Sequence, residues 1–293
     1  TGNNNTAFGT NALFLNTASG NTAVGYCALR SNTTGGGNAA LGDTAGRSNT
    51  TGYSNVFLGA AAGCSSTTGC RSVIIGSVAA RYAGTFNRVV AVGHKALYNG
   101  TGAYNVALGA YAMSANSSCS NNTAVGTCAL SANNANSNTA VGFFALRCNT
   151  TGAYNTALGF CALSTNTTGL ANTAVGFGSL SSNTIGTQNT ALGSGALTSN
   201  TTGVNNIAVG ELALGGNIIG TNNTAVGFFA LRDNTASNNT AVGFCALRNN
   251  TTGGGNAALG YFALASNTTG ISNTAIGLNS LNISLMPSIP LSL

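Results

Sequence analysis

The sequence predicts an all-β protein: a parallel β-solenoid, or β-roll, of about 17 coils with about 17 residues per coil. Three observations predict it. A glycine preceded by Asn-Thr-Ala-Val or a close variant recurs from Gly9 and Gly25 through Gly126 and Gly142 to Gly260 and Gly277, spaced by 17 residues and occasionally 16. The residues flanking that glycine alternate with period two, the repeat of a strand rather than of a helix. Charged residues are 4% of the chain, against roughly 25% in an ordinary soluble domain.

Each element of the coil follows from its residues. Seventeen residues are too few for a helical hairpin repeat and suit two short strands and a turn. Counting from the repeat glycine as zero, position −1 is large and apolar (Val24, Leu41, Ile75) and −3 is Thr or β-branched (Thr22, Val73, Ile207). Position −2 between them is nearly always Ala. This alternation places −3 and −1 inside the coil and the alanine outside. Beyond the glycine, +4 is usually Leu (Leu29, Leu130, Leu163), +2 is apolar or Cys, and +3 is Ala. Here +2 and +4 are expected inside, with +1, +3 and +5 outside. The turn is Asn-Thr-Thr-Gly, as at Asn166–Gly169, rich in residues that accept left-handed backbone or bond their own main chain. Stacking puts like residues above one another, which disfavours charge and suits Asn. An Asn amide donates to one neighbour and accepts from the other, so ladders are expected at −4 and in the turns.

The array covers residues 1–281, and 282–293 leave the repeat as an uncharged, apolar-polar tail. Outward alanines such as Ala23, Ala91, Ala124 and Ala241 would form flat stripes that let another copy approach closely. A standard copy, Asn5–Gly9, opens the array and leaves an edge for axial stacking. In the tail, Leu285, Ile289, Leu291 and Leu293 would cap the last coil or join a neighbouring subunit as an added strand.

The phrase Asn-Thr-Ala-Val-Gly followed by Ala-Leu, with Asn-Thr-Thr-Gly beyond, resembles the repeat arrays of phage-type and giant-virus fibre proteins. It is also similar to the head repeats of trimeric autotransporter adhesins. The resemblance covers roughly Asn3 to Leu281. It implies a left-handed parallel roll, an extracellular, cell-surface or virion-surface fibre, and trimers with small residues toward the three-fold axis. The repeat here is longer than in the adhesin heads, and no chaperone domain or coiled-coil stalk accompanies it.

The inventory of reactive side chains argues against an enzyme. His94 is the single histidine, and Asp43, Glu211 and Asp233 are the only acids, in three different coils. No catalytic residue, metal site or cofactor is expected. A chain this sparse in Lys and Arg is not expected to bind nucleic acid, and with no run of 18 apolar residues it is not expected to enter a membrane. The expected partner is the chain itself, as a homotrimer or head-to-tail filament, with a cell-surface glycan as a further contact. The rival reading is a monomeric surface-binding solenoid, glycan-binding or ice-binding. Inward-facing −3 threonines would leave it only turn pairs such as Thr167-Thr168.

Three irregularities stand out. Arg30, Arg47, Arg81, Arg147, Arg232 and Arg248 share position +5. The stretch 71–95 loses the Asn registers and gathers Arg71, Arg81, Arg88, His94 and Lys95, a place for an anion or acidic-glycan contact. Of the eight cysteines, Cys27, Cys128, Cys161 and Cys245 fall at +2 as buried hydrophobes. Cys64 and Cys70 bracket a short turn that a disulfide would close, and Cys119 and Cys148 pair across chains or stay free.

Overall fold

The structure, a computed structural model, describes residues 2–282. It is an all-β parallel solenoid and has no helix among the described residues. Each repeat contributes one three-residue strand, from Thr6–Phe8 in the first coil to Thr274–Ile276 in the last. Coils are numbered here by their glycines, Gly9 opening coil 1 and Gly277 coil 17. The chain forms two compact units, residues 1–157 and 158–293, a division that the unbroken glycine series does not signal. Within the first unit each strand pairs in parallel with the next, in strict register: Thr22 on Ala39, Ala23 on Ala40, Val24 on Leu41. The second unit repeats the pattern, with Thr190 on Ile207 and Ala191 on Ala208.

The strand faces the opposite way from the sequence expectation. Ala23, Ala91, Ala124 and Ala241 at −2 are fully buried, whereas Leu41 and Leu192 at −1 are about half exposed, at 51% and 47%. Position +3, also expected outside, is buried as well (Ala28, Ala162, Ala213), and the +4 leucines are buried as expected. Alternation fixes that neighbouring residues face opposite ways, and a one-residue shift of phase reverses every side chain. The thickness of the interior decides which set goes in. This coil is thin: an alanine on the strand meets alanine and leucine on the facing side, and larger residues at −1 and −3 are left outward. Coils 3 and 4 show the constraint from the other direction. Phe57 takes the −2 position, fully buried, and the facing +4 leucines are replaced by Gly46 and Gly63. A Cβ on Gly63 would lie 2.3 Å from the Phe57 ring.

The second side of the coil is not a strand. Positions +2 and +4 are left-handed, as at Cys27 (φ 51°) and Leu29 (φ 47°), so right- and left-handed residues alternate there. Successive N–H groups consequently point to opposite neighbours. Cys27 N–H donates to Thr10 O of the preceding coil at 2.9 Å, and Leu29 N–H donates to Ala45 O of the following coil at 3.0 Å. A left-handed leucine costs roughly 1–2 kcal/mol of backbone energy, and these inter-coil hydrogen bonds hold it. The corner itself requires glycine: Gly193 has φ +136°, and a Cβ there would sit 2.5 Å from Gly210 O.

Two buried asparagine ladders close the coil, at −4 and at +7 in the turn. Asn206 N–H donates to Asn189 Oδ1 at 3.0 Å, and Asn189 Nδ2 donates to Gly203 O at 2.8 Å. In the turn, Asn200 Nδ2 donates to Asn183 Oδ1 at 2.8 Å and Asn217 Nδ2 donates to Asn200 Oδ1 at 2.9 Å. The expected ladders are therefore present, and they answer for polar groups that burial would otherwise leave unpaired. Coils one residue short lose that residue in the turn. Asn234 Nδ2 reaches Ala236 O two residues on, where Asn200 reaches Gly203 O three on, and the strands remain paired, Thr224 on Thr240.

Candidate functional site

The reversed phase gives each unit an outward strand face built from positions −3 and −1. In the second unit it carries Thr173, Thr190, Thr224 and Thr240 in one rank, interrupted by Ile207 and Ala257, and Val175, Leu192, Val209, Val226, Val242 and Leu259 in the other. In the first unit the −3 rank is Val56, Val73, Val90 and Val106 in coils 4–7 and the −1 rank is aliphatic beyond Phe8. Position −1 is apolar in every coil, and neither rank holds a charge. Where −3 shortens to Ala, the face dips into apolar grooves, one around Ala39 between Leu41 and Leu58, the other around Ala257 between Leu259 and Ile276.

This face replaces the alanine stripes as the candidate surface. Ala23, Ala91, Ala124 and Ala241 are sealed inside the coil and form no outer stripe. The strand face was missed because the small residues were assigned outward. Leu285, Ile289, Leu291 and Leu293 lie outside the described residues. Cys64 and Cys70 are not bonded to each other in the structure, where all eight cysteines are unpaired. Cys64 is buried at +5 on the turn side, while Cys70 Sγ sits 3.2 Å from Asn87 Oδ1. The +2 thiols are buried or half-buried, and desolvation raises the pKa of Cys245 above the ordinary thiol value.

In the second unit the +1 residues extend the apolar surface past the glycine corner. Phe160 stacks on Phe177 with centroids 5.3 Å apart and planes 6° apart. Phe228, Phe244 and Tyr261 form a second column at 5.2 and 5.1 Å. Ring faces cover one another along these columns, so ring edges point outward.

The five cations of the irregular stretch separate into two groups. Arg71 and Arg88 share position −5, on the corner beside the Asn ladder. Arg71 lies over Tyr53 at 5.5 Å, and Arg88 lies over Tyr104 at 5.3 Å and donates to its hydroxyl. Arg81, His94 and Lys95 lie at +5, +1 and +2, on the second side of coils 5 and 6. Arg81 sits 5.3 Å from the Tyr82 ring, and Lys95 sits 5.5 Å from Tyr98 and 5.4 Å from Tyr111. Tyr82 meets Tyr98 edge to face at 5.0 Å, and His94 meets Tyr111 the same way at 5.5 Å. Tyr98 is raised above the usual phenol pKa, first by desolvation and then by its hydrogen bond with Tyr82. Sequence reading named the cations and missed the tyrosines. Their signal was present: five of the eight tyrosines fall between Tyr53 and Tyr111.

Elsewhere the +5 arginines have simpler company. Arg147 lies 4.6 Å from the Phe144 ring, and Arg232 pairs with Asp233 at 2.6 Å, the one ion pair among the described residues. Among those residues no three His, Cys, Asp or Glu side chains converge, and no helix is long and apolar enough to cross a membrane. No protein-family model matches the chain, and no curated protein matches it.

Proposed function

We propose that this chain is a structural fibre protein, borne on a cell or virion surface, that self-associates laterally through its outward strand face. The observation that carries the reading is the −1 rank: an aliphatic or aromatic side chain in every coil, outward and half-buried to exposed, with no charge on either rank of the face. In the first unit alone the strand face covers roughly 400 Å² at ordinary strand spacing and rise, the size of the largest patch on a typical soluble monomer, which is often functional. The repeated aliphatic rank is self-complementary by composition, which suits copies of the same chain. The likeness to fibre arrays in Asn-Thr-Ala-Val-Gly points the same way.

The test is sedimentation equilibrium of the chain beside a variant carrying Val125→Arg, Val141→Arg, Val175→Arg and Leu192→Arg. All four side chains point outward, so the coil should keep its β-rich circular dichroism while the oligomer dissociates to monomer. A wild-type chain that remains monomeric at high concentration would sink the proposal.

One observation favours a second reading. The −3 threonines stand outward in a flat rank beside the −1 aliphatics, the surface an ice-binding solenoid would need. Thermal hysteresis from a monomeric chain, lost on changing Thr173, Thr190 and Thr224 to Lys, would establish it in place of the fibre.

A further inference from the structure

We propose that the second side of coils 5–7 is a binding site for an acidic saccharide, with Arg81 and Lys95 taking its carboxylate or sulfate groups and Tyr82, Tyr98 and Tyr111 taking its rings and hydroxyls. The site lies on a different side of the coil from the strand face and does not depend on the fibre reading.

Charge distribution is the first support. Seven of the nine cations and one of the three acids lie in residues 1–157, so the whole net charge of +6 resides in that unit. Its single acid is Asp43, and residues 44–210 contain none. Arg81 and Lys95 therefore have no carboxylate on their own or neighbouring coils. Like charges on adjacent coils repel, and an anionic ligand relieves that repulsion.

The company of the cations is the second. Most other +5 arginines lie by phenylalanine or are tied to an acid, as Arg30, Arg147, Arg232 and Arg248 are. Here three consecutive coils present tyrosines instead, with Tyr82 54% and Tyr111 40% exposed. A tyrosine ring offers an apolar face and a hydroxyl that both donates and accepts. A pyranose needs both, since it carries C–H faces and ring hydroxyls. One sugar ring is also about as long as one coil is high, about 4.8 Å, so successive sugars would meet successive coils. The stacked columns of the second unit lack this character, because their ring faces cover each other and carry no cation.

The form of the patch argues against nucleic acid. Strong phosphate-backbone binding rests on many neutralised phosphates along a basic stripe or groove. Two cations and one histidine over three coils do not make one.

The test is titration calorimetry of the full chain at moderate salt with four probes: an alginate hexasaccharide, a sulfated chondroitin hexasaccharide, neutral maltohexaose and single-stranded oligo-dT of matched charge. One or both acidic saccharides should bind, and the two distinguish carboxylate from sulfate recognition. Maltohexaose should not bind, and oligo-dT should bind more weakly than the better saccharide. Arg81→Gln with Lys95→Gln should weaken saccharide binding at least about tenfold. Tyr82→Phe, which keeps the ring, should weaken it by a smaller factor, and Arg30→Gln with Arg147→Gln should leave it unchanged. Binding of neither acidic saccharide, equal or tighter binding of oligo-dT, or undiminished binding by both the cation and tyrosine variants would overturn the assignment.

Discussion

Phe57 shows at a single residue what the coil interior tolerates. It stands where most coils have alanine, and its ring occupies the space that leucine fills elsewhere, because Gly46 and Gly63 face it. The size exchange predicts a strong coupling. Phe57→Ala should cost about 3–5 kcal/mol by leaving a cavity. Gly63→Leu alone should destabilise by collision with the ring. The two together restore the common pattern within coil 4, leaving Gly46 in coil 3, and Gly63 already has the left-handed φ of 57° that leucines adopt at this position. Urea unfolding of the double variant should therefore return most of the lost stability, and simple addition of the two single costs would disprove the packing account. The same residues explain how the strand phase was misread. Large residues at −3 and −1 with alanine between are equally regular in either phase, and a thick core would have taken the large ones. The deciding signal was the joint change at −2 and +4 in coils 3 and 4, where a phenylalanine appears only with glycines opposite.

At the scale of the element, the asparagine ladders were legible and the second side of the coil was not. Asn recurs at −4 and +7 at the coil spacing, and its amide has the donor and acceptor that a buried stack needs. The left-handed residues at +2 and +4 are mostly leucine, cysteine or phenylalanine, which carry no compositional mark of that backbone; Gly46, Gly63, Gly178, Gly195, Asn11 and Asn279 carry one but are scattered, so alternating side chains suggested a second strand. The ladder predicts a position-dependent cost. Asn200→Ala removes donors to Asn183 Oδ1 and Gly203 O and the acceptor for Asn217 Nδ2, and should lower stability by about 2 kcal/mol or more. Asn249→Ala, at an exposed position outside both ladders, should change it by less than about 0.5 kcal/mol. Equal effects in thermal unfolding would show that the ladder contributes nothing beyond its bulk.

For the whole molecule, the repeat length and the low charge were enough to give the solenoid, while the proposed route to assembly depended on the one fact they left open, the strand phase. Composition said that this chain had an unusual surface. Only the direction of the alanines said that the surface was an apolar strand face and not a set of small-residue stripes. The uneven division of charge, all of the net +6 in residues 1–157, was equally readable, and it acquires meaning once the tyrosines around Arg81 and Lys95 are placed.

The strict register has a consequence for how such a chain changes over generations. A coil donates to the coil after it the same hydrogen bonds that it accepts from the coil before, so a coil of the regular pattern can be removed whole without leaving a mismatched pair. Deleting residues 190–206 joins Asn189 to Ile207 and re-creates the phrase Asn-Ile-Ala-Val-Gly, with Asn183 brought over Asn217 as Asn200 had been. That shortened chain should fold with an unchanged circular dichroism spectrum per residue, whereas deleting residues 190–197, half a coil, should not. Duplication or loss of a 51-base-pair segment of the coding DNA would then be nearly silent for folding, and the number of coils becomes a quantity that recombination can adjust one step at a time.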